Sequence, residues 1–326
     1  MDKKLDVGNE KQKHKHNDYK ESVNNINKHS SFVNCLINFN YNEKTLIASG
    51  SDDATIKIWE TDEKNKLKLI YTLVGHEDCV NTLCFIFNTS QLISGGDDFK
   101  ILIWDINNGK LIKKFEGHEA SVLCLTNIPD EKLLISGGDD FKLKIWNEST
   151  GKLLKAFMAH DAGVMCSVLI SEKTSYYKEN TLFATGSDDK TIKIWDSKSD
   201  YPIKTLRGHE QVITCMIYCE SGLISGSYDK TIIIWNIEKC ERIKVIQSHQ
   251  SSVWGLAILD LNYFVSTSDD LKIKVYELIE NKECKEIQTI KGHSDCITCV
   301  TCFKIKDKFY ILSGSLDSTL RVWESS

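Results

Sequence analysis

The feature that most constrains the fold is a phrase that occurs seven times along this chain of 326 residues. Its clearest copy runs from Thr185 to Asp196 and reads TGSDDKTIKIWD. The phrase predicts a strand end of small residues, a tight turn centred on aspartate, and a strand of alternating Ile and Lys that ends at Trp195. Every copy ends in an aromatic residue: Trp59, Trp104, Trp146, Trp195, Trp235, Tyr276 and Trp323. These residues lie 40 to 49 positions apart, so each copy marks one supersecondary unit and not a whole domain.

Three more positions recur in every unit. An aspartate stands six residues before the closing aromatic: Asp53, Asp98, Asp140, Asp189, Asp229, Asp270 and Asp317. A short hydroxyl residue stands ten before it: Ser49, Ser94, Ser136, Thr185, Ser225, Ser266 and Ser313. A single histidine opens each unit: His29, His76, His118, His160, His209, His249 and His293. So regular a polar set indicates that one local structure is built seven times.

The period of about 40 to 45 residues, with its Gly-His and Trp-Asp pairs, resembles the WD40 repeat. The resemblance extends from residue 22 to residue 324. It implies an all-β fold, a seven-bladed propeller of four-stranded antiparallel sheets. It also implies that each blade holds a buried chain of hydrogen bonds linking indole, hydroxyl, imidazole and carboxylate. In the sixth unit Tyr276 replaces tryptophan, and whether the hydrogen bond of the indole has a substitute there stays open.

The two ends of the chain predict how the ring closes. Apolar residues stand six and three positions before each histidine, and Val23 and Ile26 keep this pattern ahead of His29. No such segment follows Trp323, so the last unit lacks its outermost strand. We therefore expect residues 22–27 to complete the last blade, which removes two exposed sheet edges. Residues 1–21 are polar and without hydrophobic periodicity, which predicts a disordered tail ahead of a propeller over 22–326.

Composition excludes several classes of function. No apolar run approaches the roughly 20 residues that cross a bilayer, and the lysine-rich start lacks the apolar centre of a signal peptide. We expect a cytoplasmic protein, or a nuclear one, with no membrane partner. The net charge of −5 argues against a nucleic-acid binder. The chain has three arginines, which argues against an arginine pocket for phosphopeptides, and its twelve cysteines are expected to be reduced thiols.

Some residue sets resemble catalytic or metal-binding sites but have simpler explanations. Each unit holds a hydroxyl, a histidine and an aspartate, the members of a hydrolase triad, yet seven identical triads favour a structural role. Cys296, Cys299 and Cys302 are spaced like metal ligands, but residues three apart on a strand face opposite sides. His14 and His16 lack further ligands nearby. We expect no enzyme activity, no cofactor and no metal.

The resemblance implies that partners bind on the top face, around the central channel. Two histidine-based registers contribute the apolar candidates Phe32, Leu123, Met165 and Trp254. The position before the turn aspartate contributes Asp52, Asp97, Asp139, Asp188, Tyr228, Asp269 and Leu316. Together these residues predict an acidic ring with an apolar sector at Tyr228, Trp254 and Leu316. Such a surface suits a partner with an apolar anchor beside a lysine or arginine.

The sequence therefore predicts a non-catalytic scaffold that binds protein or peptide partners, as a monomer or as a subunit of a larger complex. Two alternatives stay open. A substrate receptor of a ubiquitin ligase would need a segment that binds the adaptor of the ligase, and the residues before 22 do not resemble such a segment. A signalling subunit like a G-protein β chain would need an N-terminal coiled coil, and residues 1–21 show no heptad repeat.

Overall fold

The computed structural model describes residues 19–21, 26–27, 29–61, 66–86, 89–170, 181–279 and 283–325. Across these residues the strands form seven antiparallel sheets, and the one helical element is a short 3-10 turn at Pro129–Glu131. The prediction of a seven-bladed all-β propeller is confirmed. No helix in this described part of the chain has the length and apolarity needed to span a bilayer.

The strands follow one another from the central axis outwards in each blade. Two short strands come first, β1 (Tyr19–Glu21) and β2 (Ile26–Asn27). The first three blades are β3 to β6 (Val33–Tyr41, Lys44–Ser51, Thr55–Thr61, Leu67–Val74), β7 to β10 (Val80–Ile86, Gln91–Gly96, Ile101–Asp105, Lys110–Phe115) and β11 to β14 (Val122–Ile128, Leu133–Gly138, Lys142–Asn147, Leu153–Met158). Blades four and five are β15 to β18 (Val164–Ile170, Leu182–Ser187, Thr191–Asp196, Lys204–Arg207) and β19 to β22 (Ile213–Cys219, Gly222–Ser227, Thr231–Asn236, Glu241–Gln247). The last two are β23 to β26 (Val253–Asp260, Tyr263–Ser268, Lys272–Ile279, Glu283–Lys291) and β27 to β29 (Ile297–Ile305, Lys308–Ser315, Thr319–Ser325).

The core lies between neighbouring blades, where apolar faces of successive sheets pack together. Small residues in the second strands let the sheets approach closely. A Cβ added at Gly50 would lie 2.7 Å from Val80 Cγ1 of the next blade, and one at Gly314 would lie 2.7 Å from Val33 Cγ1. The second contact joins blade seven to blade one. Contact between β27 and β3 thus completes a ring in which the first strand of every blade touches its two neighbours.

The N-terminal segment supplies the outermost strand of the last blade. Both β1 and β2 pair antiparallel with β29, which places Glu21 opposite Trp323 and Ile26 opposite Leu320. Closure by an N-terminal strand is therefore as predicted, whereas Val23 lies outside the described residues. The boundary at residue 21 is wrong, because Tyr19–Glu21 were assigned to the polar tail and belong to this sheet. These three residues read as polar in the sequence because only Tyr19 among them is buried.

Blade six holds the N-terminal strand from the side. The side chain of Gln288 on β26 receives a hydrogen bond from the Tyr19 N–H at 2.9 Å and donates one to the Tyr19 carbonyl at 3.0 Å. Lys155 and Lys204 hold the same place five residues before their histidines, and they donate to carbonyls of the next blade, Lys198 and Ile237. An amide suits the sixth blade because an extended backbone offers both a donor and an acceptor, and lysine is a donor only.

Candidate functional site

A buried hydrogen-bonded chain in each blade links the loop before the first strand to the second strand and to the turn that follows it. Histidine Nδ1 lies 2.7 to 3.0 Å from the aspartate carboxylate in all seven blades. Histidine Nε2 lies 2.7 to 2.8 Å from the Ser or Thr hydroxyl. In six blades the tryptophan Nε1 donates to the same hydroxyl at 2.8 to 2.9 Å. The indole only donates and the carboxylate only accepts, so a neutral imidazole would fit between them by donating from Nδ1 to the aspartate and accepting at Nε2 from the hydroxyl.

In blade six tyrosine replaces the closing tryptophan, and a second substitution accompanies this change. The Tyr276 hydroxyl lies 2.7 Å from the hydroxyl of Ser248, which is buried just before His249. Several other units have glycine before the histidine, and a Cβ added at Gly75 would lie only 2.7 Å from Trp104 Cη2. The smaller tyrosine ring leaves that space free, and the serine hydroxyl occupies it. Tyr276 therefore keeps a buried polar partner, although a different one from that of the indole.

The top face is the side that carries the seven aspartate turns. Each turn is bonded to the loop that carries the histidine of its own blade: Asp52, Asp97, Asp139, Asp188, Tyr228, Asp269 and Leu316 each donate a backbone N–H to the residue three after that histidine, at 2.9 to 3.2 Å. Two of the registers named from the sequence are thus adjacent in space in every blade.

The third register, five residues after the histidine, lies on a β-bulge. In all seven blades the pairing of the first two strands shifts at this point, for example between Val33 and Cys35 and between Val253 and Gly255. A bulge leaves one residue out of the ladder and redirects its side chain. The seven bulge residues are Asn34, Asn81, Leu123, Met165, Thr214, Trp254 and Thr298. We call these residues, with those of the turns, the channel mouth.

Most polar bulge residues bind the scaffold itself. Asn34 donates to Asp52 at 2.6 Å and to the Val80 carbonyl of the next blade at 3.3 Å. Asn81 does the same with Asp97 and with the next blade. Thr214 likewise donates to the Val253 carbonyl at 2.5 Å. The two asparagines were left out of the predicted partner-binding set. The signal for their contacts was that the same two units have Asn five residues after the histidine and Asp just before the turn aspartate.

Trp254 makes a different set of contacts. Its indole N–H donates to the Asp269 carboxylate of its own blade. Its ring packs edge-on against Tyr228 of blade five, with centroids 5.0 Å apart and planes at 67°. Both rings are half-buried. Burial, with Asp269 and Asp188 nearby, raises the pKa of Tyr228, so its hydroxyl stays protonated and can donate.

Two of the five predicted acidic residues keep exposed carboxylates. Asp52, Asp97 and Asp269 accept hydrogen bonds from Asn34, Asn81 and Trp254 respectively. Asp139 and Asp188, on blades three and four, are exposed. Partial burial, with Asp97, Asp188 and Asp140 nearby, raises the pKa of Asp139. A cation placed there would relieve this repulsion between like charges.

The remaining apolar candidates are dispersed around the mouth. Phe32 is exposed on blade one, whereas Leu316 on blade seven and the bulge residues Leu123 and Met165 are half-buried. Among these candidates, Tyr228 and Trp254 form an aromatic pair in direct contact. The apolar sector is therefore centred on blades five and six.

The cysteines are spread over separate surroundings. Cys299 packs in the core between blades seven and one, whereas Cys302 packs against the core between blades six and seven. Cys79 forms a group with Asp78 and Asp97 whose potential ligand atoms lie within 4.8 Å of one another. Burial and the neighbouring carboxylates of Asp52, Asp78 and Asp97 raise the pKa of Cys79 to about 12, which favours the neutral thiol over the thiolate that binds metals.

A family comparison matches this architecture. The model of the WD domain, G-beta repeat, matches residues 20–60, 67–105, 109–147, 151–196, 200–236, 240–277 and 284–324. The chain belongs to the WD40 repeat family. Its members are generally non-catalytic propellers that bind protein partners.

Individual relatives share short segments with this WD40 propeller. Nuclear distribution protein PAC1 of Komagataella phaffii is 39% identical over 67 residues, 20% of this chain and 13% of that protein. The U5 small nuclear ribonucleoprotein 40 kDa protein of Dictyostelium discoideum is 36% identical over 88 residues, 27% of this chain and 23% of that protein. DDB1- and CUL4-associated factor 10 of Homo sapiens is 34% identical over 73 residues, 22% of this chain and 13% of that protein. The chain thus matches less than a quarter of the length of each of these three relatives.

Proposed function

We propose that this WD40 propeller is a non-catalytic docking scaffold that binds a partner segment at the channel mouth. Trp254 and Tyr228 would receive an apolar side chain of the partner. Asp139 and Asp188 would receive a lysine or arginine. The observation that carries the proposal is the position of Trp254, which occupies a bulge without forming the hydrogen bond to the next blade that Asn34, Asn81 and Thr214 form there.

The bulge residues of other blades show what the scaffold requires there. Asn34, Asn81 and Thr214 each donate a hydrogen bond to the first strand of the next blade. Tryptophan has a single donor, and in Trp254 it is directed to Asp269. The large ring therefore keeps the hydrogen bond to an aspartate in the turn of its blade, but its one donor is not available for the bond to the next blade. Half-buried, oriented aromatic rings are the usual anchors of protein interfaces.

The charge of the mouth supports a basic partner. Asp188 lies close enough to Tyr228 to contribute to the raised pKa of its hydroxyl, so the carboxylates and the aromatic pair belong to one region. A lysine or arginine next to an apolar residue would meet both parts of this region at once. Complementary charge would mainly speed association and select the partner, and the aromatic contact would supply most of the affinity.

A test compares the protein with its Trp254→Thr variant. Threonine already occupies the same bulge in blades five and seven, so the fold should tolerate it. A displayed library of random peptides is selected on the wild-type protein, and the enriched peptides are titrated against both proteins. We expect peptides with an apolar residue near a lysine or arginine, bound at least about tenfold more weakly by the variant.

Two controls make this test decisive. Asp139→Asn with Asp188→Asn should weaken the same peptides and reduce the salt dependence of their binding. Tyr201→Ala, which removes an exposed ring outside the channel mouth, should leave the affinities unchanged. Equal binding by wild type and Trp254→Thr, with both proteins equally stable, would contradict the proposal.

The printed names of two relatives favour a role within a larger assembly. One is a subunit of a small nuclear ribonucleoprotein, and another is named as a factor associated with DDB1 and CUL4. We propose that this propeller also acts as a subunit, and a ligase substrate receptor remains the second candidate. Native purification from cells should show it in particles much larger than 37.1 kDa. Co-purification of a DDB1-like protein would favour the ligase, and a monomer alone would contradict both ideas.

A further inference from the structure

Two exposed phenylalanines stand at equivalent points of neighbouring blades. Phe99 is 44% exposed and Phe141 is 38% exposed, and each follows the structural aspartate of its turn. Met158, 61% exposed, lies opposite Lys142 in the strand pairing, and the Phe141 carbonyl accepts the N–H of the residue after Met158. We call Phe99, Phe141 and Met158 the phenylalanine rim.

The fold does not require aromatic residues at these positions. All seven blades have a left-handed residue there, with φ between 60° and 70°: Ala54, Phe99, Phe141, Lys190, Lys230, Leu271 and Ser318. A left-handed conformation costs a bulky residue about 1 to 2 kcal/mol. A phenylalanine in this place therefore bears backbone strain and leaves much of its ring in water. This unfavourable combination of backbone strain and an exposed ring occurs in two neighbouring blades.

The exposed charge around the rim is mainly acidic. Glu77 binds Lys100 at 2.6 Å, and Glu119 binds Lys142 at 2.9 Å, so each lysine that follows a rim phenylalanine is paired. The side chains of these glutamates are 74% and 71% exposed, against 16% and 28% for the two lysines. Water and partners therefore meet the carboxylates first.

We propose that the phenylalanine rim is a second docking surface, separate from the channel mouth. Its occupant is a partner segment rich in lysine or arginine that places aliphatic or aromatic side chains on Phe99 and Phe141. Two observations lead to this occupant. Exposed rings at equivalent positions of two neighbouring blades favour an apolar contact, and the exposed glutamates paired with the lysines that follow them favour cations over anions. Because the aromatic pair of the mouth lies on blades five and six, and Phe99 and Phe141 lie on blades two and three, the rim can function whether or not the mouth binds a partner.

The test uses a defined probe. A fluorescein-labelled peptide of three Lys-Phe-Lys-Leu repeats is titrated against the full chain by fluorescence anisotropy, beside a Glu-Phe-Glu-Leu peptide of the same length. We expect the basic peptide to bind at least about tenfold more tightly than the acidic one. Its affinity should fall as salt rises, because exposed charges are screened.

The decisive variant is Phe99→Ser with Phe141→Ser. Serine occupies the same left-handed position in blade seven, at Ser318, so the fold accommodates it. This double variant should bind the basic peptide at least about tenfold more weakly. Leu271→Ser is the matched control, since it removes an exposed apolar residue from the same register of blade six and should leave the affinity unchanged. Circular dichroism and melting curves check that each variant is folded.

Several results would overturn the proposal. One is equal affinity of the wild type and the double variant for the basic peptide. Another is binding that Trp254→Thr abolishes while the double variant retains it, which would assign the peptide to the mouth and support the proposed function alone. A dimer seen in sedimentation and lost in the double variant would make the occupant a second copy of the chain. Competition by a synthetic peptide of residues 1–18 would make it the chain's own N-terminal segment.

Discussion

Blades four and six have the same architecture but differ at three paired positions. Blade four has Trp195 beside Ala159, and blade six has Tyr276 beside Ser248. Blade four has Cys166 beside Gly186, and blade six exchanges the sizes, with Gly255 beside Thr267. In both exchanges a change in one side chain is matched by a change in the residue that it touches.

The third difference has no such match within its own blade. The bulge residue is Met165 in blade four and Trp254 in blade six, and Trp254 contacts a ring of the preceding blade. Compensated exchanges preserve packing, because an interior position depends on its neighbour. The pair formed by Trp254 and Tyr228 is instead half-buried at the mouth, where the proposed partner would cover it. The comparison thus separates substitutions that maintain the propeller from those that suit a partner.

The largest effect on stability is expected when the structural aspartate is removed from blade four or from blade six. Asp189→Ala would leave the Nδ1–H of His160 and the hydroxyl of Thr191 without their acceptor, and Asp270→Ala would do the same to His249. We expect each variant to lose about 3 to 5 kcal/mol of free energy of unfolding, measured in urea.

Asp188→Ala is the control, because this exposed neighbour should change stability by less than about 0.5 kcal/mol. If Asp270→Ala alone were harmless, blade six would lack a working hydrogen-bonded chain. The equivalence of the two blades would then be lost.

A smaller effect is expected from Tyr276→Trp. The indole would meet the Ser248 hydroxyl, which occupies the space that glycine leaves free beside tryptophan in other blades. We expect a loss of about 1 to 3 kcal/mol from overpacking. Adding Ser248→Ala recreates the Trp195 and Ala159 pair of blade four and should recover most of that loss.

A double-mutant cycle in urea measures this coupling. If the double variant were no more stable than Tyr276→Trp alone, the explanation by paired substitution would be wrong. Ser248→Ala alone should cost about 1 kcal/mol through the lost hydrogen bond.

The smallest effect is a loss of stability on mild acidification. Burial lowers the pKa of His160 below its usual value, and hydrogen bonding and attraction to Asp189 only partly oppose this effect. The same holds for His29. In the unfolded chain these groups bind protons near pH 6.5, before the folded chain does. The free energy of unfolding should therefore fall as pH drops below about 6.5, by at most about 1.4 kcal/mol per pH unit for each group.

Urea unfolding at pH 7, 6 and 5 measures this dependence. Carboxylates lose their contribution only at lower pH. Burial acts to raise the pKa of Asp53, but hydrogen bonds from Thr55, the Ser30 N–H and His29 outweigh it and lower the pKa to about 2. Stability that is flat or rising between pH 7 and 5 would contradict the assignment of neutral buried histidines.

The repeated features could be predicted from the sequence because they are local. The aspartate, the hydroxyl and the closing aromatic keep fixed spacings within one unit, so seven copies show one hydrogen-bonded chain and one blade. The closing strand also followed from the pattern, since Val23 and Ile26 keep the apolar spacing that precedes the histidine of every unit. The extent of that strand was harder to predict, because Tyr19 is positioned by residues far away in the chain, such as Gln288, 269 residues away.

The surface chemistry was harder to predict because it depends on contacts between units. The ring of aspartates looked uniform in sequence, yet Asn34, Asn81 and Trp254 satisfy three of its members. Phe99 and Phe141 were part of a turn motif, and nothing in the spacing indicated that their rings would be exposed. A pattern in sequence predicts where a side chain starts, and its neighbours decide what it is free to bind.

The pairing of β1 with β29 has a consequence for how the molecule is made. Arg321 and Glu21 form an ion pair across 300 positions of the chain. At roughly 5 to 20 residues per second, a ribosome needs about 15 to 60 s to make the intervening part. Throughout that interval Tyr19 has no groove to enter, and the growing series of sheets has two open flanks. Nascent chains should therefore depend on chaperones until the last strand leaves the exit tunnel.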